Sequence, residues 1–126
     1  MSIPTPRRLR LRQRLMFGKA IALGPGKADL LRQIAACGSI SKAARQMGMS
    51  YRRAWLLVET MNQCFQSPLV DTSAGGKGGG GALLTPLGEQ VLRHYQRIQQ
   101  LAEAAVADEL AALEALLADQ PPSDPH

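Results

Sequence analysis

The chain has 126 residues, 45% of them apolar, which is enough for one domain with a modest core and one appended element. Residues 1–100 carry all 15 basic residues and four acids, whereas residues 101–126 carry six acids and no basic residue, so the body is expected to meet a polyanion. Two cysteines without CxxC spacing, no signal-like N-terminus and no long apolar run argue against disulfides, a zinc site, secretion or a membrane span, and a cytoplasmic protein is expected.

The N-terminal sequence RLRLRQRLMF, residues 8–17, alternates between basic and apolar side chains, a period of two that predicts a strand with one wet face. Its predicted buried face carries Leu9, Leu11, Leu15 and Phe17. Its predicted exposed face carries Arg8, Arg10, Arg12 and Arg14. This cationic ridge either contacts a ligand or protects an edge strand from aggregation.

Two helices are predicted after an LGPGK turn. Apolar residues from Leu30 to Cys37 keep helical spacing, and Gly38 ends the first helix. Ser39 or Ser41 is predicted to cap the second, shorter helix.

A third helix completes a helix-turn-helix pattern. Gly48 ends the second helix, and Ser50 is predicted to cap a third that runs to about Phe65. Two such helices joined by a short glycine turn form this pattern. The small residues Ala43 and Ala44 would let the two helices cross closely.

The third helix is predicted to place one face in the core and the opposite face against a polyanion. The core face carries Ala54, Val58, Met61 and Phe65. The outward first turn combines two guanidinium groups with free amides and the helix dipole, through Ser50, Tyr51, Arg52 and Arg53. A merely solvated helix could carry the same residues, but their place in the pattern favours DNA. Trp55 is expected to wedge into the helix packing.

The sequence GGKGGGG, residues 75–81, lies between two β-like runs, LVDTS at 69–73 and ALLT at 82–85, which predict a hairpin, the wing. A P-loop is rejected because it needs Ser or Thr after the lysine and then a helix. A flexible linker is rejected because the run connects no domains. Glycines let the main chain approach a sugar-phosphate surface, where Lys77 would add one charge.

A last helix is predicted to start with Thr85 as cap and Pro86 in its first turn and to reach about Ala118. It has a long apolar stripe, which either folds back over its own domain or pairs with a twin helix. Pairing is favoured by the Ala-rich, acidic sequence. The dimerisation residues expected on this stripe are Leu92, Tyr95, Ala102, Val106, Leu110, Leu113 and Leu117.

Several of these sequences together resemble the DNA-binding domain of the molybdate-responsive ModE regulators. The resemblance rests on CGSISKAARQMGMSYRRAW from residue 37, then MN, PLV, GGKGGGGALLTPLG and HY, and it covers roughly residues 8–100. The glycine wing joined to SYRRAW is far more specific than the helix-turn-helix alone, which is shared with LysR-type regulators. The resemblance implies a winged helix-turn-helix that binds a palindromic operator as a dimer, usually to repress molybdate-uptake or molybdenum-enzyme genes.

The chain is also expected to differ from the full-length regulators of this family. Full-length regulators of this kind bind molybdate in additional C-terminal β-barrel domains, and this chain is expected to end in an acidic helix before them. No oxyanion-binding residue is therefore carried over, no cofactor is expected, and no small-molecule effector is expected on this chain.

The sequence thus predicts a mainly α protein with a small β-sheet: a winged helix-turn-helix at 1–85, a dimerisation helix at 86–118 and a disordered tail at 119–126. The expected DNA contacts are Ser41, Ser50, Tyr51, Arg52, Arg53, Leu56, Gly75, Gly76, Lys77, Gly78 and Gly79. An enzyme is not expected, because His94 and His126 have no nucleophile or carboxylate partner at a recognisable spacing. The alternative function is a dimeric adaptor that acts through its acidic C-terminal helix.

Overall fold

The computed structural model describes residues 8–72 and 81–123. The elements in chain order are β1 Leu15–Phe17, β2 Ala20–Leu23, α1 Pro25–Cys37, α2 Ile40–Gln46, α3 Tyr51–Cys64, β3 Val70–Asp71, β4 Leu83–Leu84, α4 Pro86–Ala105 and α5 Ala107–Glu114. β1 pairs with β2 and β3 with β4, both antiparallel. The mainly α, winged helix-turn-helix fold predicted from the sequence is confirmed, and the long C-terminal helix is present as α4.

The N-terminal strand is shorter than predicted. Only Leu15–Phe17 form β1, and its partner β2 was not foreseen because AIAL is too short to show a period. A bulge between Leu15 and Met16 shifts the register, so Phe17 is 67% exposed and the prediction that it shares a buried face with Leu9 is wrong. Residues 8–14 keep the predicted alternation, with their arginines exposed and their leucines half-buried.

The helix ends follow the predicted signals. Gly38 and Gly48 adopt positive φ, 72° and 68°, where a side chain would be strained, and each follows the end of a helix. Ser39 rather than Ser41 caps α2, since its Oγ accepts from the Lys42 amide at 3.1 Å. These short turns fix the angle between consecutive helices.

The core lies where α1, α2 and α3 meet β2 and the hairpin β3–β4. Ala43 and Ala44 are almost completely buried, as expected for the close crossing of α2 and α3. The largest fully buried side chains come from several elements: Leu23, Leu30, Leu31, Ile34, Met61, Leu69 and Tyr95.

The hairpin β3–β4 is joined to the start of α4 at Leu69. The Leu69 carbonyl accepts from the Thr85 amide at 2.9 Å, and the Thr85 hydroxyl donates to the Pro68 carbonyl at 2.7 Å. The same hydroxyl oxygen caps α4 by accepting from the Gly88 amide at 3.0 Å. A Cβ on Gly88 would lie 2.2 Å from the Leu69 carbonyl oxygen, so only glycine fits there.

The C-terminal helix is interrupted, and one residue of its predicted apolar stripe, Tyr95, is buried in the chain's own core. The prediction of one continuous helix to about Ala118 is wrong, because Val106 leaves helical geometry between α4 and α5, and α5 ends at Glu114. Tyr95 is 1% exposed within its own chain, where its hydroxyl donates to the Gln13 carbonyl at 2.7 Å. It is therefore not available to a second chain, contrary to the prediction.

Both cysteines are free and half-buried. In the described part of the chain, no helix combines the length and apolar content needed to cross a bilayer. Over the same residues, no three His, Cys, Asp or Glu side chains are grouped closely enough to hold a metal ion.

Replacing Gly88 by Ala is expected to lower the free energy of unfolding by about 3 kcal/mol, because the new methyl group would collide with main-chain atoms that cannot move alone. Urea denaturation of the full chain measures this loss. Gly26→Ala is the matched control, since an added Cβ at Gly26 meets no atom within 4 Å. Equal stability of the two variants would contradict the close approach of α4 to Leu69.

Candidate nucleic-acid interface

The first turn of α3 carries the predicted contact residues in exposed positions. Ser50 caps α3, with its Oγ accepting from the Arg53 amide at 3.1 Å, as the sequence predicted. Ser50, Tyr51, Arg52 and Arg53 are all exposed. The dipole of α3 and the two guanidinium groups therefore favour an anion at the same helix end.

The outward face of α3 is also more apolar than a solvated face needs to be. Leu56, a predicted contact, is exposed, and Trp55 is 41% exposed rather than wedged between helices as expected. Ala54 and Val58 of the same helix are buried instead, and the indole stays at the surface. Exposed apolar side chains on a recognition helix are suited to contact thymine methyl groups.

The start of α2 adds basic residues that were not predicted from the sequence to contact DNA. Ser41, a predicted contact, is exposed, and it lines a cleft of about 360 Å³ with Lys42 and Arg45. Gly81, the first described residue after the wing tip, lines the same cleft. The signal was present in the sequence, since SKAAR places two cations in the helix that Ser39 caps.

The hairpin is fixed to these helices by main-chain and side-chain hydrogen bonds. The Ala82 amide donates to the Gly38 carbonyl at 2.9 Å, which joins β4 to the turn between α1 and α2. Asn62 of α3 bonds the other side of the hairpin: its Oδ1 accepts from the Leu69 amide at 2.8 Å and the Val70 amide at 3.2 Å. Asn62, the second residue of the MN pair, is thus a positioning residue whose role was not predicted from the sequence.

The wing tip itself lies outside the described residues. This concerns the predicted contacts Gly75, Gly76, Lys77, Gly78 and Gly79. The strands β3 and β4 on either side form the predicted antiparallel hairpin, with Val70 opposite Leu84. The base of the wing is therefore held at the turn before α2 on one side and at the last turn of α3 on the other.

The N-terminal arm, residues 8–14, runs beside the helices and is bonded to two of them. Besides the bond from Tyr95 to Gln13, the Leu9 amide donates to Glu114 Oε2 at 2.8 Å. Burial raises the pKa of the Tyr95 phenol, an effect that Arg12 and Arg32 oppose. The arm thus has a fixed course along which its arginines are exposed.

Lys27 in the first turn of α1 is a buried cation, 8% exposed, whose Nζ donates to the Ile21 carbonyl. Burial lowers the pKa of this ammonium, and a negative charge on the Cys64 sulfur would oppose the shift. In the described residues no carboxylate pairs with it.

The exposed apolar residues of the C-terminal helices only partly match the predicted stripe. Leu92 is half-buried against the chain's own core, and Ala102, Val106, Leu110 and Leu117 are half-buried. The most exposed large apolar side chains are Ile98, Leu101, Leu113 and Leu116, named here the α4–α5 face. Of these, only Leu113 was predicted. Leu101 follows Ile98 by three residues, and Leu116 follows Leu113 by three, beside the predicted stripe.

Comparison with known proteins finds related sequences. The family model for bacterial regulatory helix-turn-helix proteins of the lysR family matches residues 27–89, from the first turn of α1 to the first turn of α4. The molybdenum-pterin-binding protein MopB of Rhodobacter capsulatus is 45% identical over 92 residues, 73% of this chain and 33% of that protein. The DNA-binding transcriptional dual regulator ModE of Escherichia coli (strain K12) is 42% identical over 81 residues, 64% of this chain and 31% of that protein.

A longer match extends further along the chain. The transcriptional regulator ModE of Yersinia pestis is 41% identical over 113 residues, 87% of this chain and 41% of that protein. The chain thus spans about a third of the length of the curated relatives it matches. The matched part contains the helix-turn-helix and the hairpin.

Replacing Asn62 by Ala is expected to lower the free energy of unfolding by about 2 kcal/mol, because two main-chain amides at the hairpin base lose their acceptor. Chemical denaturation measures the change. Asn62→Asp should lose less stability, since a carboxylate oxygen can still accept from both amides and only the 3.4 Å bond from Nδ2 to the Val70 carbonyl is removed. Unchanged stability of the Ala variant would show that the hairpin is held by other contacts.

Proposed function

Because the chain belongs to the lysR family of bacterial regulatory helix-turn-helix proteins, we propose that it regulates transcription by binding duplex DNA sequence-specifically as a homodimer. The observation that carries this proposal is the exposed first turn of α3, where the capping residue Ser50 is followed by two arginines. The exposed first turn of α2 adds further basic residues, and the base of the hairpin lies beside it. In this fold α3 would lie in the major groove and the wing beside it.

The contacts would divide by chemistry. Arg52, exposed at the start of α3, is suited to bond guanine O6 and N7 with two parallel hydrogen bonds. Tyr51 and Leu56 would contact neighbouring base edges, and the residues of the α2 cleft, Lys42 and Arg45, would contact phosphates. The glycine-rich wing with Lys77 would lie against the sugar-phosphate backbone.

Dimerisation is supported by the α4–α5 face. Leu101 is 52% exposed and Leu113 53%, and the other two members of the face are also exposed. Several exposed large apolar side chains on neighbouring helices are typical of a protein interface. The second copy is the preferred occupant because two recognition helices about 34 Å apart would meet successive major grooves of a palindromic operator.

The regulated genes are proposed from the relatives. All three relatives described above carry names that refer to molybdenum or to ModE, so a role in molybdate uptake or molybdenum enzymes is the preferred assignment. Repression is the preferred direction, since a dimer bound across a promoter blocks polymerase. The protein would act in the cytoplasm, where bacterial DNA lies.

The proposal is tested by fluorescence anisotropy of the full chain on genomic fragments, with and without molybdate and at several salt concentrations. One fragment class is expected to bind much more tightly than a scrambled duplex. If about six phosphates per dimer are neutralised, log K should fall against log salt with a slope of about −5. Equal binding of all fragments, or a slope of zero, would contradict the proposal.

The Arg52→Ala variant refines the same titration. Loss of a base contact is expected to cost about 1–3 kcal/mol on the preferred fragment and to relax the preference at one operator position. Gln63→Ala, at an exposed position near the other end of α3, is the control and should leave the preference intact. Uniform weakening on all sequences would instead assign Arg52 to a phosphate.

Replacing Leu101 by Glu is expected to raise the dimer dissociation constant roughly 100-fold, about 3 kcal/mol, because the pairing would bury an unpaired charge. Sedimentation equilibrium measures the change. Gln100→Glu adds the same charge at an exposed polar position next to it and should leave the dimer intact. A dimer unaffected by both substitutions would place the interface elsewhere.

A further inference from the structure

A second basic surface extends beyond the helix-turn-helix, between the N-terminal arm, the start of α1 and the start of α3. It is a cleft of about 520 Å³ lined by four basic side chains: Arg12, Arg14, Lys27 and Arg53. No acidic side chain among the described residues lines it. It is named here the arginine cleft.

The arm that carries Arg12 and Arg14 is held against the start of α1 and against α4. An added Cβ on Gly24, the residue before α1, would lie 3.4 Å from Cγ of Arg14, so the Arg14 side chain passes directly over the start of the helix. Between Arg12 and Arg14, the Gln13 carbonyl accepts the hydrogen bond from the Tyr95 hydroxyl. The arm is thus fixed at the point where it presents both guanidinium groups.

In the described part of the chain, the arginines of the cleft have no carboxylate partner. Within residues 8–72 and 81–123, no ion pair joins Arg12, Arg14 or Arg53 to a carboxylate. A cleft lined by one sign of charge concentrates the opposite ion. Guanidinium groups match the geometry of a phosphate, and the first turn of α1 adds its dipole. The ligand chemistry is therefore an oxyanion.

The position of the cleft selects the source of that oxyanion. Arg53 and Met49 flank Ser50, the cap of α3, and both line the cleft. The arginine cleft is therefore continuous with the face proposed to meet DNA. A phosphate of the duplex that borders the major groove would reach it without any change in the fold.

We propose that the arginine cleft receives a phosphodiester of the operator backbone, bound by Arg12, Arg14 and Arg53. This deepens the proposed function and rests on it. It also separates the two arginines of SYRR: Arg53 binds the backbone, whereas Arg52 reads a base. The N-terminal arm is then part of the DNA interface, and not only protection for a strand edge.

The test is the salt dependence of DNA binding by the Arg12→Ala/Arg14→Ala double variant of the full chain. If one phosphate contact per chain is lost, the slope of log K against log salt should become shallower by about 2 per dimer. Binding should weaken by the same factor on the preferred fragment and on a scrambled duplex. Arg53→Ala should also weaken both duplexes alike.

Two controls complete the test. The Arg12→Lys/Arg14→Lys variant keeps the charges and should keep the wild-type slope. Arg93→Ala/Arg97→Ala removes two exposed charges from α4 and should also keep it. A wild-type slope for the Arg12→Ala/Arg14→Ala variant, or a single relaxed operator position for Arg53→Ala, overturns the inference while the proposed function stands. If the wild-type protein prefers no fragment, both the inference and the proposed function are contradicted.

Discussion

The arrangement of this protein depends on the hydrogen bonds made by one short main-chain segment, Pro68 to Val70. Asn62 of α3 accepts from two of its amides, Thr85 bonds its carbonyls at the start of α4, and Gly88 allows α4 to approach within contact of Leu69. The end of α3, the base of the hairpin and the start of α4 are therefore joined at one place. Any surface that uses both α3 and the hairpin inherits its geometry from this junction.

The sequence predicted those elements whose signals are local. Helix ends follow from Gly38, Gly48 and the capping residues Ser50 and Thr85, because each acts through bonds to residues at most four positions away. Prediction from the sequence failed where a contact between residues far apart in the chain determines the structure. Tyr95 fits an apolar stripe in sequence, but its hydroxyl bonds Gln13, 82 residues away. The bulge at Leu15, which exposes Phe17, likewise depends on pairing with β2.

In the candidate site, too, local features could be predicted from the sequence and features that depend on distant contacts could not. The exposed first turn of α3 could be predicted from its cap and its arginines, whereas the positioning role of Asn62 could not, because its partners belong to a different element. The arginine cleft also joins three separate segments of the chain. The alternating arginines indicated a charged face, but only the folded arm brings Arg12 and Arg14 beside Arg53. In this account the basic body meets DNA on a surface wider than the helix-turn-helix, and the α4–α5 face remains for a second chain.

The central claim is that α3 and the hairpin are already fixed relative to each other before DNA arrives. Amide hydrogen exchange of the full chain, with and without duplex DNA, tests it most directly at Leu69, Val70 and Thr85. The account predicts slow exchange at these amides in the free protein and no change in their rates when DNA is added. Rapid exchange in the free protein, slowed only by DNA, would mean that the junction forms on binding and would contradict the account.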